Sequence, residues 1–414
     1  MMKNKKLILI LLASFFIQSC LSTGSKEITV TTVTNETKID STEGSCNYLT
    51  KDNKGNVVLS WVKKIDSSHS VFCYAVSKDS GKSFGKVISV PGSENVHPNG
   101  ENMPKIVFKP SGEIIAAWPV SNPSPKNKYS DIVYYAQSFD SGNTWSETKK
   151  LVSDRAGYDQ RYFDMSLLSN GEVGITWLDN RKKTDHNGSA LYFAATEGKT
   201  GFKNERIIGE PSCECCRTAL LVDSKSNVHV VFRAIIQDSI RDMMHMVSSD
   251  NGNTFSKPME ISHDEWVING CPHTGPAMCE SNNGIDFSWF TGGDNAGVYS
   301  CRTSDNGQTY SPRKVVSDSR SRHSQMTALG KNVIIVWNQS FVEGKQVFIR
   351  IGIDVTNENG KSIVHKMITS ENGSTSFPVI KPLNDHSALI AYTTTENNKD
   401  YVAFKTIEIG GSGL

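Results

Sequence analysis

Two short runs hold the residues best suited to chemistry in this sequence, Cys213-Glu214-Cys215-Cys216-Arg217 and Cys271-Pro272-His273. Thiols in such runs have three fates. In an oxidising compartment they pair as disulfides. With an imidazole beside them, Cys213, Cys215, Cys216, Cys271 and His273 suit a soft metal, copper or zinc. The third fate is inert burial as small apolar side chains, which is the reading for Cys279 and Cys301. The spacing is not a standard zinc pattern, and adjacent cysteines do not easily chelate one ion. A second group is cationic. Arg161, Arg217, Arg233, Arg241 and Arg322 carry planar forks that match a carboxylate or sulfate, although Asp238, Asp242 and Glu214 stand ready to turn some of them into loop braces. Asp159 and Asp179 are the carboxylates placed to serve as acid and base in a hydrolase, or to close loops as ion pairs. No serine elbow, metalloprotease helix or phosphate-binding glycine loop accompanies them.

Residues this far apart need a scaffold that gathers them, and the scaffold is a repeat. Four segments, at Asp79, Asp140, Asp250 and Asp305, fit Ser/Thr-x-Asp-x-Gly-x-Ser/Thr-aromatic. Such a segment suits a tight hairpin: the Asp bonds the backbone ahead of it, the Gly takes a positive φ, and the aromatic packs beneath. Decayed copies stand at residues 197–200 and 356–362, so six turns recur at about 55 residues. A second landmark runs with them: an apolar strand bearing an aromatic, at Trp61, Trp118, Trp177, Phe232, Trp289, Trp337 and Tyr392. Each unit offers about four strand-like stretches, in the second unit 103–109, 113–120, 131–139 and 148–152. Four-stranded units repeated around an axis make a β-propeller, which hides its sheet edges by closing. The last unit offers three strands, and a lone β-branched stretch at 27–33 is available to complete it. Seven blades are therefore predicted, with six as the alternative.

The turn motif resembles the Asp-box, or BNR repeat, and the chain resembles the sialidase-like propeller superfamily. That resemblance implies that the Asp-boxes lie between the third and fourth strands of each blade and are architectural. It also implies a ligand face built from the loops leading into the innermost strands and those between the second and third. On this sequence the first set supplies Cys46, His97, Glu101, Asp159, Arg161, residues 213–217, Cys271, His273, Arg322 and His323. The second supplies Asp179, Arg181, Arg233, Asp238, Arg241 and Asp242. A sialidase requires three converging arginines, a Tyr nucleophile with a Glu, and an Asp acid/base. The first-blade arginine is missing, since Ser45-Cys46-Asn47-Tyr48-Leu49-Thr50 has none and Arg155 is the first in the chain. The Cys-Glu-Cys-Cys and Gly-Cys-Pro-His stretches are similar to those of other bacterial BNR-repeat proteins.

The start of the chain reads as an address. Lys3, Lys5 and Lys6 precede an apolar run at 7–17, and Gln18-Ser19-Cys20 follows. This resembles a bacterial lipoprotein signal and implies removal of residues 1–19 and lipidation of Cys20. A tether at 20–26, one propeller domain at 27–410 and a flexible end at 411–414 follow. Formal charge is +1 for the whole chain, which gives no electrostatic reason to expect nucleic acid. The expectation is a monomeric, lipid-anchored envelope protein touching the membrane only through Cys20. Its mouth would bind a carbohydrate or other small anionic ligand, with exo-α-sialidase-like glycoside hydrolysis if it is an enzyme. The alternative is a non-enzymatic propeller holding copper or zinc, or acting as an interaction scaffold.

Overall fold

The computed structural model of the protein describes residues 28–125, 127–153, 158–181, 187–371 and 373–410. The signal at 1–19, Cys20, the tether at 20–26, Arg155 and the end at 411–414 lie outside the described residues. Among the described residues no helix is long and apolar enough to cross a membrane.

Short strands joined by tight hairpins fold into antiparallel sheets. The first sheet is Gly44–Lys51, Val57–Lys64, Ser70–Val76 and Ile88–Ser89, and the second is Lys105–Phe108, Ile114–Ser121, Asp131–Ser138 and Lys149–Lys150. The third is Gln160–Leu167, Val173–Asp179, Ser189–Thr196 and Phe202–Ser212. The fourth is Ala219–Val222, Val228–Arg233, Met243–Ser248 and Met259–Glu260, and the fifth Ala277–Ser281, Gly284–Thr291, Gly297–Thr303 and Lys314–Ser317. The first strand of each sheet lines a narrow central cavity of about 140 Å³, with Tyr48, Lys105, Asp164 and Lys381 on its wall.

The predicted blade count needs correction: the sheets show five blades, not seven or six. The remaining strands form one continuous nine-stranded sheet. It contains two antiparallel runs, one from Ser321–Leu329 to Ser362–Met367 and one from Ser374–Pro382 to Lys399–Gly410. A parallel pairing of Ile349 with Ser374 joins them. The chain start closes this sheet, with Thr29–Thr32 lying antiparallel on Lys399–Gly410 in the register Thr29 to Gly410.

The core lies between neighbouring sheets. Trp61, Trp118, Trp177, Trp289, Trp337 and Tyr392 are among the largest fully buried side chains, each on the second strand of its unit, and Phe232 holds the same place in the fourth. Val379, Leu389, Val402 and Phe404 of the nine-stranded sheet pack with Leu59, Trp61 and Val71 of the first sheet, which closes the ring.

All six repeat turns fall between the third and fourth strands of their units. In the best formed, Asp250 accepts from Ser248 Oγ at 2.7 Å, from Thr254 N at 2.9 Å and from Thr254 Oγ1 at 2.7 Å. Gly252 N donates to Ser248 Oγ at 2.8 Å. Gly252 has φ +82°, and a Cβ there would stand 2.4 Å from Phe193 of the third sheet, so the glycine lets the turn seat on its neighbour. Hydrogen bonds from Ser83, Ser248 and Thr309 respectively hold Asp79, Asp250 and Asp305 down to about 2. A folded-state pKa below the unfolded value gives stability that is present above the unfolded pKa, about 3.9, and lost as pH falls through about 2. Thermal midpoints should therefore drop between pH 4 and pH 2. The Asp79→Asn/Asp250→Asn/Asp305→Asn variant should show a flatter profile; an unchanged slope would count against the turns as the source.

Candidate functional site

Four of the inner strands begin with a distortion. Registers skip between Ser45 and Tyr48, Arg161 and Asp164, Arg322 and Gln325, and Ser376 and Val379. At these skips Cys46, Tyr162, His323 and Phe377 take φ of +59°, +58°, +55° and +50°, and His273, just before the fifth inner strand, takes +49°. None is glycine, and each such residue costs on the order of 1–3 kcal/mol. Bulges re-aim side chains at strand ends, so this strain is concentrated where the loops of different sheets meet.

The thiol run lies between Phe202–Ser212 and Ala219–Val222, and Cys271 and His273 lie between Met259–Glu260 and Ala277–Ser281. Neighbouring sheets thus bring together two runs more than fifty residues apart. Cys213 N donates to Arg233 O at 2.8 Å, which fixes the first run against the fourth sheet. His273 O accepts from His323 Nε2 at 3.1 Å, and His323 N donates to Thr274 Oγ1 at 3.3 Å, which fixes the second. Two donor sets result. The sulfurs of Cys213, Cys215 and Cys216 lie within 4.8 Å of one another, and so do the donor atoms of Cys215, Cys271 and His273. Cys213, Cys215 and Cys216 are buried, whereas Cys271 and His273 are exposed. All eight described cysteines are free thiols, with the Cys213 and Cys215 sulfurs 3.7 Å apart. Hydrogen bonds from Cys215 and Cys216, and then the Arg233 charge, pull the Cys213 thiol down, while Cys215 is pushed up as the donor to Cys213. Burial pushes Cys216 up. Above the second set opens a pocket of about 500 Å³ whose lining includes Cys213, Cys215, Cys271, Glu214, Asp238 and Arg241.

Most of the arginines are engaged inside the protein. Arg217 Nη1 contacts Glu101 Oε1 at 2.5 Å, and its Nη2 donates to Ser324 O at 2.9 Å and Pro276 O at 3.3 Å. Arg233 donates to the carbonyls of Arg241, Thr274 and Phe290 and lies over the Trp266 ring. Arg161 pairs with Asp159. Arg322 donates to Ser319 O and Ser321 O and stacks on Phe290 with 3.5 Å to the ring centre. Arg241 is the exception: its Nε and Nη1 are buried without a partner among the described residues.

Asp159 and Asp179 come close through the Gln160 to Asp179 pairing. Asp159 Oδ1 accepts from Asp131 N at 3.0 Å, and burial pushes its carboxyl up to about 6 against the Arg161 charge. Asp179 is also raised by burial; it accepts from Trp177 Nε1 at 3.1 Å and Arg181 N at 2.8 Å. Sequence reasoning named Glu101 and Arg217 but not their pairing, and it missed Phe377, whose ring stacks on His323 at 4.2 Å between centres. The pair is 116 residues apart in the chain, and no local pattern announces it.

No curated protein matches the sequence. Many solved chains share the fold, among them three of different kinds. A protein of unknown function from Dyadobacter fermentans is 14% identical, with TM-score 0.54 over 92% of this chain and 99% of that one. The α-L-arabinofuranosidase of Fusarium graminearum, in complex with arabinobiose, is 11% identical, with TM-score 0.52 over 91% and 98%. The NanB sialidase of Streptococcus pneumoniae is 12% identical, with TM-score 0.50 over 90% and 69%. Residues 88–266 match the family described as BNR repeat-like domain, and the chain is a β-propeller of four-stranded blades that shares its fold with the sialidase and the arabinofuranosidase above.

Proposed function

We propose that this is a lipid-anchored envelope propeller whose mouth binds a soft metal ion through Cys215, Cys271 and His273. One observation carries the reading: two sulfurs and an imidazole from separate loops meet within 4.8 Å, with Cys271 and His273 open to solvent. Soft sulfur ligands select Cu(I), while a closed zinc site wants four protein donors in a tetrahedron. The donors here fall into sets of three, which favours Cu(I). The open pocket beside them gives the ion a path in. Metal analysis and thiol titration of the purified chain test this. The expected result is bound copper that shields Cys271 from alkylation; fully disulfide-bonded thiols with no metal would overturn it. Anchoring is tested separately, since Cys20→Ser should move the protein out of the membrane fraction.

A second reading, an anionic glycan at the mouth, is supported by the same pocket and by Asp159. A carboxyl near pKa 6 suits proton donation at neutral pH. The fold is shared with an arabinofuranosidase and a sialidase. Sialidase chemistry itself is disfavoured, because Arg161, Arg217 and Arg233 spend their hydrogen bonds inside the protein. Retention of the protein on a sialylated or uronate glycan array, weakened by Arg241→Ala, would support this second reading; no retention on either would discard it.

A further inference from the structure

We infer that the mouth holds a second soft-metal site, in which Cys213, Cys215 and Cys216 bind one Cu(I) ion and Cys215 bridges it to the ion held by Cys271 and His273. This rests on the metal reading above and extends it from one ion to two.

Geometry is the first support. The five donors form two sets of three with Cys215 in common. One ion at the exposed set leaves Cys213 and Cys216 unused, and one ion at the buried set leaves Cys271 and His273 unused. A thiolate sulfur has lone pairs enough to bridge two soft ions, so two ions sharing Cys215 use every donor.

Environment is the second. Cys213, Cys215 and Cys216 are 3%, 3% and 2% exposed and pack among Tyr162, Leu191, Phe232 and Ile235. A hard cation that keeps its waters has no place there. Cu(I) with three sulfurs needs none.

Charge is the third and most specific. Arg233 is 1% exposed and has no carboxylate partner among the described residues. Its Nη atoms bond three backbone carbonyls, and its Nε has no hydrogen-bond partner among the described residues. A guanidinium buried this deeply calls for an anion, and Arg233 touches both runs: its backbone O accepts from Cys213 N, and its Nη2 donates to the carbonyl of Thr274, the residue after His273. One Cu(I) on three thiolates carries a net charge of two minus, which supplies the missing counter-ion. The step balances simply. The ion arrives as Cu(I), no electron moves, and each thiol gives its proton to solvent as its Cu–S bond forms.

The test is an anaerobic Cu(I) titration of the reduced full chain against a competing chelator, with X-ray absorption and ultraviolet-excited emission on the loaded protein. Two coppers per chain are expected, with copper–copper scattering and the emission of a multinuclear Cu(I)–thiolate cluster. Cys216→Ser should hold one copper and lose both signatures, and Cys271→Ser should also hold one. One copper in the native chain, unchanged in Cys216→Ser, overturns the second site and leaves the first. No copper overturns both. Two coppers that survive Cys216→Ser with their scattering intact also overturn the buried site. Should Cys216→Ser fail to fold, the count and the copper–copper vector of the native chain decide alone.

Discussion

Arg217→Leu is expected to destabilise the folded protein by about 3–5 kcal/mol, the cost of breaking a buried ion pair from one side. Arg217 and Glu101 are 4% and 3% exposed. Glu101 Oε2 also accepts from Gly275 N at 2.9 Å, and Arg217 Nη2 reaches the carbonyls of Pro276 and Ser324. This hub ties loops of the second, fourth and fifth sheets to Ser321–Leu329, so its loss loosens four units at once. Among the described residues, removing the cation leaves the buried carboxylate with one backbone donor and with His323 Nε2 at 3.9 Å. The double variant Glu101→Gln/Arg217→Met should recover part of the loss, because no unpaired charge remains. Gly275→Ala attacks the same hub sterically: a Cβ there would stand 2.2 Å from Arg217 Cγ and 2.5 Å from its carbonyl oxygen. Arg320→Leu is the control, since its Asp318 pair is half exposed and such pairs contribute at most about 1 kcal/mol. Denaturation midpoints measure the series. If Arg217→Leu unfolds no more easily than Arg320→Leu, the hub is not the brace described.

The legible parts of this molecule are those set by short sequence windows. The turn chemistry around Asp79, Asp140, Asp250 and Asp305 is local, and the turns stand between third and fourth strands as the resemblance implies. The second-strand aromatics from Trp61 to Tyr392 are legible for the same reason: one large apolar side chain must be buried per unit. The convergence of residues 213–216 with Cys271 and His273 follows from counting strands, because both runs precede first strands of adjacent sheets. What pairing decides across long separations was not legible. The Ile349 to Ser374 pairing, which merges strands into a nine-stranded sheet, leaves no mark on composition. Nor do the left-handed bulges at Cys46, Tyr162 and Phe377, since nothing in those side chains asks for positive φ, and of the four bulge residues only His323 is of a type enriched there. Arg233 reads in the sequence as a ligand-binding group, yet its head is turned inward to three carbonyls. That could not be read without the loop that supplies Thr274.

Cys215→Ser should remove more metal affinity than any other single substitution, because Cys215 alone belongs to both donor sets. Changing an outer-shell partner of a metal ligand typically costs 10–100-fold in affinity, so loss of a shared ligand should cost at least about 100-fold. A serine hydroxyl is a hard donor that stays protonated at neutral pH and does not replace a thiolate on a soft ion. The consequence reaches stability through linkage. A ligand present at 100 times its dissociation constant stabilises the folded state by about 2.7 kcal/mol. Cu(I) should therefore raise the melting temperature of the native chain and leave that of Cys215→Ser almost where it stands without metal. Cys279→Ser serves as the comparison. Cys279 is 7% exposed, packs between the fifth sheet and the start of the nine-stranded sheet, and belongs to neither donor set. Its replacement should leave the copper-induced shift intact even if the metal-free protein melts lower. Equal shifts in native and Cys215→Ser chains would place any bound copper elsewhere, and the thiols of residues 213–216 would then be buried packing alone.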